Sequence, residues 1–194
     1  MNKPFLSRSG SLRVAALFFA SASGLTGCGE NIFEVKWTEA RVDTALVYSL
    51  AHPDLNVFSG FDFVRRLPIR AQAAGVTGQW DLLLDTQGGQ LVFLPPGALD
   101  IESATLVFPM PGAAFDDVLR APKDTTLYTR DLPLPVDMGT VYVLRTRRGP
   151  NRFGLLCSLY GKFQPVAIDP ARETVRFAYD VNRICDDRAL VPEG

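Results

Sequence analysis

Histidine is the scarcest resource of this 194-residue chain: His52 stands alone. That excludes metal centres built on paired imidazoles, the H-E-x-x-H zinc motif and His–Cys clusters. Cysteine and methionine occur three times each, and no C-x-x-C is present. Also missing are G-x-S-x-G, a Walker A loop and G-x-G-x-x-G on a strand–helix step. Dithiol redox chemistry, the hydrolase nucleophile elbow and phosphate-cradling loops therefore have no support. Long apolar runs are absent too. The best one, residues 14–22, is too short to span a bilayer as a permanent helix. No internal repeat or low-complexity tract appears. The net charge is -1, and the first 27 residues hold Lys3, Arg8 and Arg13 with no acid, which leaves -4 on the remainder. A domain of that sign is not built to hold nucleic acid by bulk electrostatics.

What is present begins with an address. Three basic residues precede the short apolar segment, which is the anatomy of a secretory signal. Leu25-Thr26-Gly27-Cys28 follows: an apolar residue, two small ones, then a thiol. This resembles the lipobox of bacterial lipoproteins. The resemblance implies removal of residues 1–27, acylation of Cys28, a tether over 28–31 and one domain over 32–194. A triacylated cysteine anchors stably, since each buried methylene contributes roughly 0.8 kcal/mol. Gly29 stands where aspartate would favour retention at the inner membrane, so the resemblance points to the outer membrane. With Cys28 lipidated, Cys157 and Cys185 remain, an even pair in an oxidising compartment. A disulfide between them is expected over two separately buried thiols.

Period-2 alternation dominates the rest. Residues 41–50 read as a strand. Residues 80–85 and 90–94 read as a hairpin around Gln87-Gly88-Gly89, ended by Pro95-Pro96-Gly97. A further strand is expected over 103–108, and a short helix over 113–119, stopped near Ala121-Pro122. Residues 141–147, 153–163 and 174–181 read as a three-stranded meander. The expected fold is all-β: a single antiparallel sandwich-like or barrel-like domain with one or two short helices.

Candidate chemistry is thin. A Ser-His-Asp triad would have to use His52, which lies in Ala51-His52-Pro53-Asp54 and reads as an exposed turn histidine. Asp116-Asp117 and Asp186-Asp187 lack the ligand ladder of a calcium loop and read as solvated pairs. No catalytic residue and no metal site is assigned, so the chain reads as non-enzymatic. Arg145, Arg147, Arg148 and Arg152 surround the turn at Gly149-Pro150. This basic tip is either a solvated hairpin end or a place to meet a phosphate, a propionate or lipid headgroups.

Several segments carry a resemblance in order: Phe61-Asp62-Phe63, Trp80-Asp81-Leu82, residues 116–122, Tyr142-Val143-Leu144-Arg145-Thr146, Tyr160-Gly161-Lys162 and Val175-Arg176-Phe177-Ala178-Tyr179. Together they resemble the HmuY-type haem-binding lipoproteins over about residues 61–179. That resemblance implies an all-β outer-membrane lipoprotein holding haem iron between two loop side chains. The prototype uses histidines, which are absent here after His52. Relatives with methionine ligands turn attention to Met110 and Met138, since thioethers ligate haem iron. Both methionines read as loop residues, and filling an apolar gap is their other reading. Arg145, Arg147 or Arg148 is the candidate partner for a propionate. The alternative function is a structural or interaction lipoprotein that docks an envelope partner and binds no small molecule.

Overall fold

The computed structural model describes residues 36–150 and 154–193. The signal segment, Cys28, the tether and Arg152 lie outside the described residues. The strands are β1 (Asp43–Tyr48), β2 (Gly60–Asp62), β3 (Leu67–Ile69), β4 (Leu82–Gln87), β5 (Gln90–Leu94), β6 (Leu106–Pro111), β7 (Leu134–Pro135), β8 (Thr140–Arg145), β9 (Gly149–Pro150), β10 (Leu156–Cys157), β11 (Tyr160–Asp169) and β12 (Thr174–Asn182). One sheet runs β1-β12-β11-β8-β6, and a second runs β3-β2-β4-β5-β7. The strand pairings are antiparallel. The fold is an all-β sandwich, not a closed barrel.

Alternation explains the core. Phe177 and Tyr179 of β12, Phe163 of β11 and Tyr142 of β8 meet Phe61 and Phe63 of the β2 segment and Phe93 of β5. Tyr142 stacks on Phe163 at 5.0 Å, and Phe61 meets Phe63 edge-on at 4.8 Å. Fully burying one such ring contributes roughly 1.5–3 kcal/mol. Both outer faces are covered as well. Val141, Val143 and Tyr160 pack beneath Val118, Ala121 and Leu190. On the second sheet Trp80, Leu83, Val92 and Leu94 pack against Ile69, Ala71, Ala98 and Ile101. This explains why Leu82, Leu83 and Leu84 are all buried. It also takes Trp80 out of the simple alternation: the tryptophan precedes the strand and joins Leu83 on the outer side, while Leu82 and Leu84 enter the central core.

Two prolines shift the strand expected over 103–108. It runs Leu106–Pro111 instead, through Pro109 and Pro111. Val107 N–H donates to Thr129 O, away from β8, so alternate positions 109 and 111 also turn their nitrogens away. Proline there sacrifices no bond to the β8 ladder. Met110 is therefore a strand residue opposite Val141, not a loop residue.

The helix expected over 113–119 contracts to a three-residue 3-10 turn, Phe115–Asp117. Two further 3-10 turns, Pro96–Leu99 with four residues and Thr125–Leu127 with three, are also short. The carbonyls of Phe115 and Val118 are taken by the Lys162 ammonium, at 2.6 and 3.1 Å. The strand expected over 153–163 is broken: Cys157 pairs with Gly149, and β11 starts only at Tyr160. The meander then closes as expected, β8-β11-β12, with a register shift after Pro165.

Candidate functional site

The arginines of the basic tip go three different ways. Arg147 is drawn between the sheets. Its Nη1 donates to Asp62 at 2.8 Å and to Asp81 at 3.0 Å, and its Nη2 donates to Asp62 at 2.7 Å. Both carboxylates are wholly buried. Asp62 ends β2 and also accepts the Arg65 backbone N–H at 3.0 Å. Asp81 accepts N–H groups from Phe63 (2.8 Å) and Arg147 (2.7 Å), and the Thr105 hydroxyl at 3.3 Å. One guanidinium thus answers two acids from the opposite sheet. Burial pushes the Asp81 carboxyl up to about 6, against the pull of Arg147. Burial works against the charge of Arg147, yet the two acids hold its pKa above the usual value. The cluster is a clasp between sheets, because its polar atoms are spent on each other.

Arg148 is exposed and donates to Leu156 O at 3.3 Å. Arg145 faces the outer side of the first sheet, opposite Tyr160 on β11 and Leu106 on β6. Its Nε is buried and has no hydrogen-bond partner. Among the described residues no carboxylate lies within ion-pairing distance of it.

The same outer face holds a third buried charge. Lys162 is 2% exposed, tethers residues 115–118 through its two carbonyl bonds, and lies 4.6 Å from the Phe115 ring centre. Burial lowers its pKa, while Asp116 and Asp180 pull the other way. Lys162 pins the cover segment to the sheet. Gly161 beside it is required by proximity, since a Cβ there would lie 2.7 Å from Asp180 O.

The candidate iron ligands sit at one end of the first sheet. Met110 is half-buried on the outer face, packed with Phe108, Ala113 and Phe115 around Val141 and Val143. Met138 is 45% exposed in the turn before β8. The two segments are tied by Gly112 N–H donating to Gly139 O at 2.8 Å. The turn is rigidly built: Asp137 accepts the Thr140 hydroxyl at 2.6 Å and Gly139 N–H at 3.2 Å. Gln164 donates to Met138 O, and the Tyr142 hydroxyl accepts Asp137 N–H. The Thr140 hydroxyl and the Gly139 N–H hold the Asp137 carboxyl below its usual range. Thioethers are of a type that ligates haem iron, but the Met110 side chain is packed in the outer apolar cluster while that of Met138 is exposed.

Cys157 and Cys185 are bonded, tying β10 to the carboxy-terminal tail. His52 contacts Tyr48 edge-on, and its Nδ1 accepts Asp54 N–H at 3.2 Å, which makes it a turn-stabilising group. Asp116 and Asp117 are exposed, and Asp187 is occupied by Asn182 and Ala189. Among the described residues no group of three or more His, Cys, Asp or Glu could hold a metal ion.

Sequence reasoning did not single out Asp62, Asp81 and Lys162 as buried charges. A signal was there: each touches a large apolar residue on the chain, in Phe61-Asp62-Phe63, Trp80-Asp81-Leu82 and Lys162-Phe163. No family model matches the chain, and no curated protein matches it.

Proposed function

We propose that the protein is a non-enzymatic lipoprotein of the cell envelope, anchored by Cys28 in the outer membrane, whose β-sandwich serves as a binding module. The Cys157–Cys185 disulfide carries this reading. A structural disulfide belongs to an oxidising compartment, and the lipobox at Leu25-Thr26-Gly27-Cys28 is an address to one. The ligand we assign is haem or a related tetrapyrrole, with Met110 and Met138 as the axial pair and Arg145 as the cation for a propionate. What supports it is the tie between the two methionine segments and the lack, among the described residues, of an ion pair for Arg145 or a hydrogen-bond partner for its Nε. Arg147 drops out as a propionate partner because Asp62 and Asp81 consume its donors.

The test is a haemin titration of the full chain in detergent, read in the Soret band under oxidising and reducing conditions. A saturable one-to-one shift is expected. It should weaken in Met138→Ala, whose side chain is exposed, and vanish in the Met110→Ala, Met138→Ala double variant. A spectrum equal to that of haemin with an unrelated protein overturns the tetrapyrrole. The alternative is then an interaction lipoprotein, favoured by Met110's place in the packed outer cluster. Loss of lipid labelling in Cys28→Ser checks the anchor separately.

A further inference from the structure

We propose that the outer face of the first sheet carries an oxyanion-binding site, in which Arg145 and Arg188, flanked by Tyr128 and Tyr160, take the anionic head of a ligand with an apolar body. The site does not need the iron reading. Met110 pairs with Val141 and Arg145 ends the same strand, four residues on, roughly 13 Å away along β8.

The strand register builds half of the site. Arg145 and Tyr160 are directly opposed across β8 and β11, so their side chains rise from the same face. The tail supplies Arg188. Its carbonyl accepts Ala121 N–H at 2.8 Å, and its Nη1 donates to Ala121 O at 3.1 Å. One bond further on, Leu190 N–H donates to Leu119 O at 2.8 Å. Tyr128 closes the group. Its hydroxyl donates to Pro122 O at 3.0 Å, and its side chain packs against the outer cluster that contains Tyr160 and Ala121, the residue Arg188 bonds. Its ring lies 5.7 Å from that of Phe108, which gives the site an aromatic wall.

What makes this a site is the missing counter-charge. Neither arginine has an ion pair among the described residues. Asp187, the acid nearest to Arg188 in sequence, is turned to Asn182 and to the Ala189 N–H. The Arg145 Nε is a buried donor without an acceptor, and the residue as a whole is half-buried. A half-buried guanidinium normally finds a carboxylate, and an unsatisfied buried donor in a folded protein asks for an absent partner. Two planar donor forks over the same outer face suit a carboxylate or phosphate oxygen set. The same head group comes from a soluble metabolite or from a lipid headgroup.

The experiment is calorimetric titration of the full chain in detergent with phenyl phosphate, benzoate and a short-chain phosphatidylglycerol. Saturable one-to-one binding is expected, weakened by salt. Arg145→Gln and Arg188→Gln should each lower affinity at least about tenfold, the loss of a charge-assisted pair. Arg148→Gln, which removes a cation from elsewhere on the surface, should leave affinity unchanged. Thermal unfolding without ligand separates binding from folding: Arg145→Gln should stay within about 2 °C of the parent. Preference for phenyl phosphate or benzoate assigns a soluble ligand, and preference for phosphatidylglycerol assigns a headgroup. Failure of all three probes to saturate, or equal binding by both arginine variants, overturns the site. A failed haemin titration leaves it standing.

Discussion

Arg145 and Arg147 stand two residues apart at the end of one strand, and their surroundings are opposite. Arg147 donates to two wholly buried carboxylates of the other sheet. Arg145 stands on the outer face with a buried Nε that bonds nothing. The first guanidinium is consumed by the fold, and its chemistry is holding the sheets in register. The second contributes nothing of that kind, which leaves its charge free for a ligand. A cation's role is thus read from its counter-charges, not from its position in a basic cluster.

The comparison breaks most sharply at Arg147. Arg147→Met strands Asp62 and Asp81 as buried acids without a cation, and should lower stability by about 3–5 kcal/mol in urea denaturation at pH 7. A loss below about 1 kcal/mol would mean that the clasp does not hold the sheets.

The disulfide bears on the other side of the comparison. Cys157→Ala with Cys185→Ala opens a bridge across 28 residues of separation. In the chain-entropy model this removes about 3.5 kcal/mol. Because Cys185 leads into the tail that carries Arg188, phenyl phosphate binding should fall as well, while the Asp62–Arg147 pair stays intact. Calorimetry on the oxidised and the mutated chain separates the two effects.

Mild acid sharpens the contrast further. The Asp81 pKa is raised from 3.8 to about 6, so the folded state binds this proton more tightly than the unfolded chain does. The resulting stabilisation is complete below about 4 and is lost as pH rises through about 6. A two-unit shift corresponds to about 3 kcal/mol. The protonated carboxyl has a hydrogen-bond acceptor in the Thr105 hydroxyl oxygen, which lies 3.3 Å from Asp81 Oδ1 and can turn its own proton to Ser103 at 3.0 Å. Stability curves of the parent and Asp81→Asn between pH 4 and 7 should differ in slope over that window, and parallel curves would contradict it. The smallest effect belongs to Arg145. Arg145→Gln should change unfolding free energy by no more than about 0.5 kcal/mol, since no charge in the fold depends on it. A loss of 2 kcal/mol or more would make it a structural residue like its neighbour.

The strands were largely legible because alternation is local. Residues 90–94 and 174–181 match β5 and β12 to within a residue. The even pair of cysteines pointed to the bond that exists. Prolines misled. Pro109 and Pro111 looked like a loop around Met110, yet they sit where an edge strand needs no donor. The short helix over 113–119 is a three-residue turn, held down at Phe115 and Val118 by a lysine 44 to 47 residues away that no local pattern announces. Of the candidate site, the arginine cluster was visible as charge, but not its division. Alternation puts Arg145 and Arg147 on one face. β8 ends at Arg145, however, and Arg147 N–H donates to Asp81 instead of continuing the ladder.

The sequence by itself determined an all-β chain and singled out the cysteine pair that is bonded, while Gly149–Pro150, read as a turn, is strand β9. Side-chain period, proline and glycine geometry, and cysteine parity act over a few residues or by simple count. Tertiary structure alone decided which charges are answered. Arg147 meets its acids across 85 and 66 residues, and Arg145 meets none among the described residues. Desolvation and Coulomb energy depend on what packing places within a few ångströms, and no local pattern encodes that.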